Sequence, residues 1–152
     1  MRKKILISTG GSGGHVIPAM TLYEHLSKDF NIIISIDKRG LRYLDKDVYS
    51  FKVIDTPKFN NIFFLPYNFI IVLFLTIKSF LLLKINKIEK IFSTGGYMSI
   101  PLILAAKILR LNIYLIEPNK VLGRSNKYFL DSCKKIFCYS ENIKNFPDQF
   151  KN

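Results

Sequence analysis

The chain has 152 residues, room for one domain with a sizeable core but not for a second of comparable size. Hydrophobic residues make up 49% of it, with thirteen Phe and eight Tyr, a composition that excludes a disordered chain. Twenty-three Lys and Arg against 11 Asp and Glu leave a net charge of +12, which favours phosphate-rich partners or anionic lipid; yet the basic residues are dispersed and match no zinc-finger, RNA-binding-strand or recognition-helix pattern, so no nucleic acid is expected as a partner.

Ile5-Leu6-Ile7-Ser8 reads as a short buried strand, followed by a glycine loop over Gly10-Gly11-Ser12-Gly13-Gly14 and a helix to about Phe30. Pro18 suits the first helical turn, where its missing N–H goes unused. Because Ile5-Leu6-Ile7 gives way within three residues to a glycine-rich stretch, the basic start Met1-Arg2-Lys3-Lys4 lacks the long apolar stretch of a secretion signal. Asn31 to Ile36 and Phe51 to Ile54 are the next strands, with a small helix between them. Lys90 to Thr94 ends at Gly95-Gly96 and leads into a helix from about Pro101 to Leu109, with Ser99 as its cap, so strand, glycine turn and helix occur a second time. Asn112 to Ile116 and Lys135 to Tyr139 complete six strands, separated by a short helix near Arg124 to Ser132. Right-handed crossovers put such strands in a parallel α/β sheet of Rossmann-like type, with ligands at the loops after the strands' C-terminal ends. Cys133 and Cys138, five positions apart and without histidine support, read as free thiols and supply no metal site.

The region from Phe59 to Ile88 differs in character. Phe63, Phe64 and the run from Phe69 to Leu83, with Phe74 and Phe80, are densely apolar, while Lys58 precedes them and Lys84 and Lys87 follow. Three readings fit: contact with an anionic membrane surface, packing against the core or a partner, or a span compromised by Lys78.

The glycine run at Gly10 to Gly14 allows close approach of the main chain to bulky oxygens, and the following helix start favours negative charge. It is neither a P-loop nor a good dinucleotide fingerprint, and a plain tight turn is the competing explanation. His15 is placed to accept a hydroxyl proton or to donate to phosphate. Gly95 and Gly96 repeat the turn, with Tyr97 and Ser99 offering hydroxyls. Glu117, Asn119 and Asn126 lie where another strand ends, and Glu117 suits a base, a hydroxyl-orienting group or a structural contact; Arg124 and Lys127 suit phosphate or simple exposure.

Three stretches together resemble the N-terminal domain of the MurG family, the family 28 bacterial transferases that add N-acetylglucosamine to a lipid-linked peptidoglycan precursor. They are Gly10 through Ala19, Gly95 through Pro101 with Ala105-Ala106, and Glu117-Pro118-Asn119 with Gly123 and Asn126-Lys127. The resemblance implies the acceptor-binding half of a two-lobed GT-B enzyme over residues 1–152, incomplete at its C-terminal side, with the donor-binding lobe lying elsewhere. It implies an undecaprenyl-diphospho-muramoylpentapeptide acceptor, UDP-N-acetylglucosamine as donor, inversion at the anomeric carbon and no required cofactor. It assigns the glycine loops to the acceptor diphosphate and His15 to activation of the muramyl hydroxyl, and places the protein peripherally on the cytoplasmic side of the inner membrane. Pro118 stands where family members often carry glutamine. A membrane-associated acceptor-binding subunit of a split transferase, or a phosphate- or nucleotide-binding regulator, are the alternatives.

Overall fold

The computed structural model describes residues 2–57 and 65–150. In chain order the elements are β1 (Lys4–Ser8), α1 (Gly13–Leu26), β2 (Asn31–Ile36), β3 (Phe51–Val53), α2 (Leu65–Ile85), β4 (Ile88–Ser93), α3 (Ile100–Ile108), β5 (Asn112–Glu117), α4 (Arg124–Phe129) and β6 (Lys135–Cys138), with 3-10 turns at Gly40–Tyr43 and Tyr97–Ser99 among others. The strands form one sheet of order β3-β2-β1-β4-β5-β6 in which every pairing is parallel, the α/β class that the alternating strands and helices predict.

The central strand shows why the sheet needs helices on both faces. Ile5, Leu6 and Ile7 are all fully buried. Ile5 and Ile7 join Ala19 of α1 in one apolar cluster, while Leu6, pointing the other way, joins Leu83 of α2 and Leu102 and Ile103 of α3 in another. Chain order reverses between β1 and β4: from there the strands run outward to β3 on one side and to β6 on the other. At such a switch point the connections leave in opposite directions and open a crevice beyond the strand ends. Both glycine turns sit there. Thr94 N–H donates to the Ser8 carbonyl at 3.1 Å, and the Thr9 and Thr94 hydroxyls are 2.9 Å apart.

Three local expectations are corrected. Gly13 and Gly14 are the first residues of α1 rather than part of the loop, because Ser12 is extended (φ −137°, ψ 163°) and its carbonyl already receives the His15 and Val16 amides. Pro18 therefore lies inside the helix, not in its first turn, and removes the donor that would meet the Gly14 carbonyl. Ser99 precedes α3 but does not cap it; its hydroxyl donates backward to the Gly96 carbonyl at 2.7 Å.

α2 is inverted relative to an ordinary surface helix. Its side toward the domain carries Asn68, Thr76 and Ser79, all buried, with Val72 and Leu83. The Thr76 hydroxyl folds back to the Val72 carbonyl at 2.8 Å. Small side chains here, and Ala105 and Ala106 on α3, let the two helices pack closely. The opposite side exposes Tyr67, Ile70, Phe74, Ile77, Leu81 and Ile85 at helical spacing, flanked by Phe69 and Leu73. Pro66–Ile85 has the length and mean hydropathy (2.0) of a membrane span, but 33% of it is buried in the domain. Core packing thus accounts for only one side of this helix. Of the predicted contact residues, Phe69 and Phe74 are exposed, as are Lys84 in the last turn of α2 and Lys87 after it. Phe80 is corrected: its half-buried ring packs against the core, with the Lys84 ammonium 5.9 Å from its centre. Phe63 and Phe64, with Lys58, lie outside the described residues.

Candidate functional site

The turn after β1 can be made only by glycine. Gly10 and Gly11 have φ of 146° and 79°, and a Cβ on Gly10 would stand 2.4 Å from Asp37 Oδ1. Asp37, wholly buried at the end of β2, accepts the Gly11 amide at 2.7 Å and the Gly40 amide at 2.9 Å on one oxygen, and Arg39 Nε at 2.7 Å on the other. Two consequences follow. The Gly11 amide is committed inward and does not face an anion, so the expected cradle of Gly10 to Gly14 narrows to the amides of Gly13 and Gly14, which as first helical residues have no intrahelical acceptor. Asp37 also stands near where a dinucleotide fold keeps its ribose-binding acid, yet its carboxylate is consumed within the protein.

His15 follows on the first turn of α1, and its Nδ1 lies 2.6 Å from the Thr94 carbonyl at the end of β4. A carbonyl only accepts, so Nδ1 carries the proton of the neutral ring and Nε2 keeps its lone pair. The bond fixes both ring orientation and tautomer, and it ties the first glycine turn to the second.

In that second turn Gly95 and Gly96 both have φ of 87°. A Cβ on Gly95 would press on the Asn126 side chain at 3.1 Å, and one on Gly96 would meet Met98 Sδ at 2.6 Å. Gly95 N–H donates to Ser93 Oγ at 3.1 Å. Ser99 is fully buried and its hydroxyl lies 3.1 Å from that of Ser125, so the expectation that it offers a hydroxyl to a ligand is corrected.

Glu117, at the end of β5, is 1% exposed and accepts four hydrogen bonds. Oε1 receives the Asn119 amide and Asn119 Nδ2, both at 3.1 Å; Oε2 receives the Gly123 amide at 2.8 Å and Asn126 Nδ2 at 3.0 Å. A carboxylate has about four acceptor positions. All are used, so of its three predicted roles only the structural contact fits: Glu117 folds the β5–α4 loop and orients Asn119 and Asn126. With Nδ2 also held by the Ile116 carbonyl at 3.0 Å, Asn126 turns its Oδ1 away, and this buried oxygen finds no partner among the described residues.

A cavity of about 180 Å³ is lined by His15, Gly95, Gly96, Tyr97, Glu117, Asn119, Gly123, Arg124, Ser125 and Asn126. Most predicted site residues thus converge from three strand ends. Gly10 to Gly14, the buried Ser99 and the exposed Lys127 are not in its wall. A shallower hollow of about 470 Å³ adjoins it, sharing Glu117 and Asn119 and adding Gly13, Gly14, Ile17, Pro18, Phe137 and Tyr139. Cys138 borders this hollow; burial, and then the Glu117 charge, push its thiol above the usual range, which keeps it protonated rather than nucleophilic. A larger depression of about 670 Å³ beside β6 contains none of the predicted residues and reflects the open edge of the sheet.

The model of the glycosyltransferase family 28 N-terminal domain matches residues 5–138. The chain belongs to this family. Among curated family 28 relatives, the UDP-N-acetylglucosamine–N-acetylmuramyl-(pentapeptide) pyrophosphoryl-undecaprenol N-acetylglucosamine transferase of Pelagibacter ubique is 54% identical over 153 aligned residues, covering 100% of this chain and 43% of that protein. The protein of the same name from Rickettsia canadensis is 40% identical, with 99% and 42% covered. The chain therefore spans about two fifths of the length of these relatives. The crystal structure of Acinetobacter baumannii MurG has the same fold, with a TM-score of 0.80 at 24% identity over 95% of this chain and 43% of that one.

Proposed function

We propose that this chain is the acceptor-side half of an inverting transferase that moves N-acetylglucosamine from UDP-N-acetylglucosamine to undecaprenyl-diphospho-muramoylpentapeptide in peptidoglycan synthesis. The observation that carries the reading is the 2.6 Å contact between His15 Nδ1 and the Thr94 carbonyl, which leaves Nε2 as an acceptor at the wall of the cavity. The acceptor diphosphate sits against the Gly13 and Gly14 amides at the start of α1, where partial positive charge favours it. The muramyl hydroxyl approaches His15 Nε2. In a single in-line displacement its oxygen bonds to the anomeric carbon as the bond from that carbon to UDP breaks; the hydroxyl proton passes to Nε2 and UDP leaves with the bonding pair. The donor nucleotide belongs to a second lobe, fused or separate, that closes over these strand ends. Asn119, Tyr97 and Asn126 bind acceptor polar groups, and Arg124 at the rim adds positive charge.

The apolar stripe of α2 supports a peripheral position on the cytoplasmic face of the inner membrane, with Lys78, Lys84 and Lys87 toward anionic headgroups. This brings the cavity to a substrate whose lipid tail stays in the bilayer. The test is transfer of labelled N-acetylglucosamine to a lipid-linked acceptor by this chain supplied with a donor-binding lobe. Product is expected, and His15→Ala should lower kcat by about 100-fold or more, as loss of a general base does. No product from the unaltered pair, or unchanged kcat in the variant, contradicts the reading.

A further inference from the structure

The segment after β2 grips the first glycine turn at every third residue, Asp37, Gly40 and Tyr43. Gly40 lies so near that a Cβ on it would be 2.9 Å from Gly10 Cα and 2.8 Å from Ile36 Cγ1. Asp37 Oδ1 holds the Gly11 amide at 2.7 Å, and the Tyr43 ring lies where a Cβ on Gly13 would meet it at 3.2 Å. Tyr43 is in turn covered by the Arg42 guanidinium, 4.7 Å from its ring centre. The charge at the centre of this grip is buried completely, a placement that is costly unless the group is paired and hydrogen-bonded. Among the described residues its ion pair is to Arg39, itself 38% exposed, and its other bonds go to backbone amides on both segments. Neither apolar packing nor solubility requires an aspartate here.

We infer that Asp37 is a positioning residue for the acceptor site: by holding the Gly11 amide it fixes the start of α1, and through it the Gly13 and Gly14 amides and His15. The inference rests on the proposed acceptor reading, because it gives a functional consequence to a contact that is otherwise structural. Asp37→Asn keeps one oxygen for the Gly11 and Gly40 amides but turns an NH2 toward Arg39 Nε, a donor facing a donor. Asp37→Ala removes every acceptor. The effects should therefore be graded, with a smaller change for Asn than for Ala.

The assay is acceptor-dependent transfer by this chain with a donor-binding lobe, normalised to folded protein by circular dichroism. Misplacement by a fraction of an ångström to 1 Å costs up to about 100-fold in rate. Asp37→Ala is accordingly expected to lower kcat by about that factor and to raise the acceptor KM, while the donor KM stays unchanged; Asp37→Asn should fall between Ala and the native residue. A residue that merely stabilises the fold would reduce the active fraction and leave both KM values alone, and that result overturns the inference. Amide hydrogen exchange gives a second readout that does not require turnover. The Gly11 amide should be protected in the native chain and should exchange rapidly in Asp37→Ala, whereas rapid exchange in the native chain overturns the inference. If the native pair shows no transfer but the Gly11 amide is protected and lost with Asp37, the acceptor reading fails and the grip on the turn stands as structural only, which also overturns the functional inference.

Discussion

Hydrogen bonds within and behind the cavity wall set the positions of its polar groups. His15 is set by a backbone carbonyl, Asn126 by Glu117 and Ile116, and the first glycine turn by Asp37. Glu117 has the sharpest consequence. Because both of its oxygens accept two donors each, Glu117→Gln replaces one oxygen by an NH2 that faces donors already in place. A buried, unsatisfied group costs about 1–3 kcal/mol, so the variant is expected to lose about that much in urea unfolding. If Glu117 were instead a base with a free oxygen, Glu117→Gln would leave stability unchanged and abolish transfer. Which candidate residues share one wall was largely legible in the sequence, since His15, Gly95, Gly96, Tyr97, Glu117, Asn119, Arg124 and Asn126 all line one cavity. Their bonding was not. The Gly11 amide that Asp37 accepts lies 26 positions away and the Thr94 carbonyl that holds His15 lies 79, and no local spacing rule reaches so far.

Among the elements, the strands were the most legible, because a parallel strand covered on both faces is a short continuous apolar run. Asn31–Ile36 matches its predicted bounds, and the other strands shift only at their ends. Helix starts were less legible. Glycines read as loop, yet Gly13 and Gly14 take helical conformation because Ser12 turns its carbonyl to the first amides. α2 could be read three ways from composition, since an apolar run does not say which side is covered. Burial answers that: Asn68, Thr76 and Ser79 face the domain, and the larger apolar side chains face outward. Phe74→Glu with Ile77→Glu alters only exposed positions, so the fold should be retained. Each buried apolar side chain contributes about 1.5–3 kcal/mol, and the double variant is therefore expected to lose binding to vesicles of anionic lipid by at least about tenfold in a sedimentation assay. Undiminished binding would remove α2 from the membrane contact.

At the scale of the molecule, one topological feature organises everything above. The reversal of strand order between β1 and β4 brings two glycine turns side by side, and β5 adds the loop that completes the wall. The chain spans about two fifths of its relatives' length, and the reading divides the labour accordingly: the acceptor is held here and the donor by another lobe. That division is open to a direct measurement on the 152-residue chain itself. Isothermal titration with a short-chain, water-soluble muramoylpentapeptide diphospholipid should give saturable binding that His15→Ala retains and Gly14→Pro, which removes an amide at the helix start, weakens. UDP-N-acetylglucosamine should give no heat of binding under the same conditions. Saturable binding of the nucleotide sugar, with none of the diphospholipid, would contradict the account.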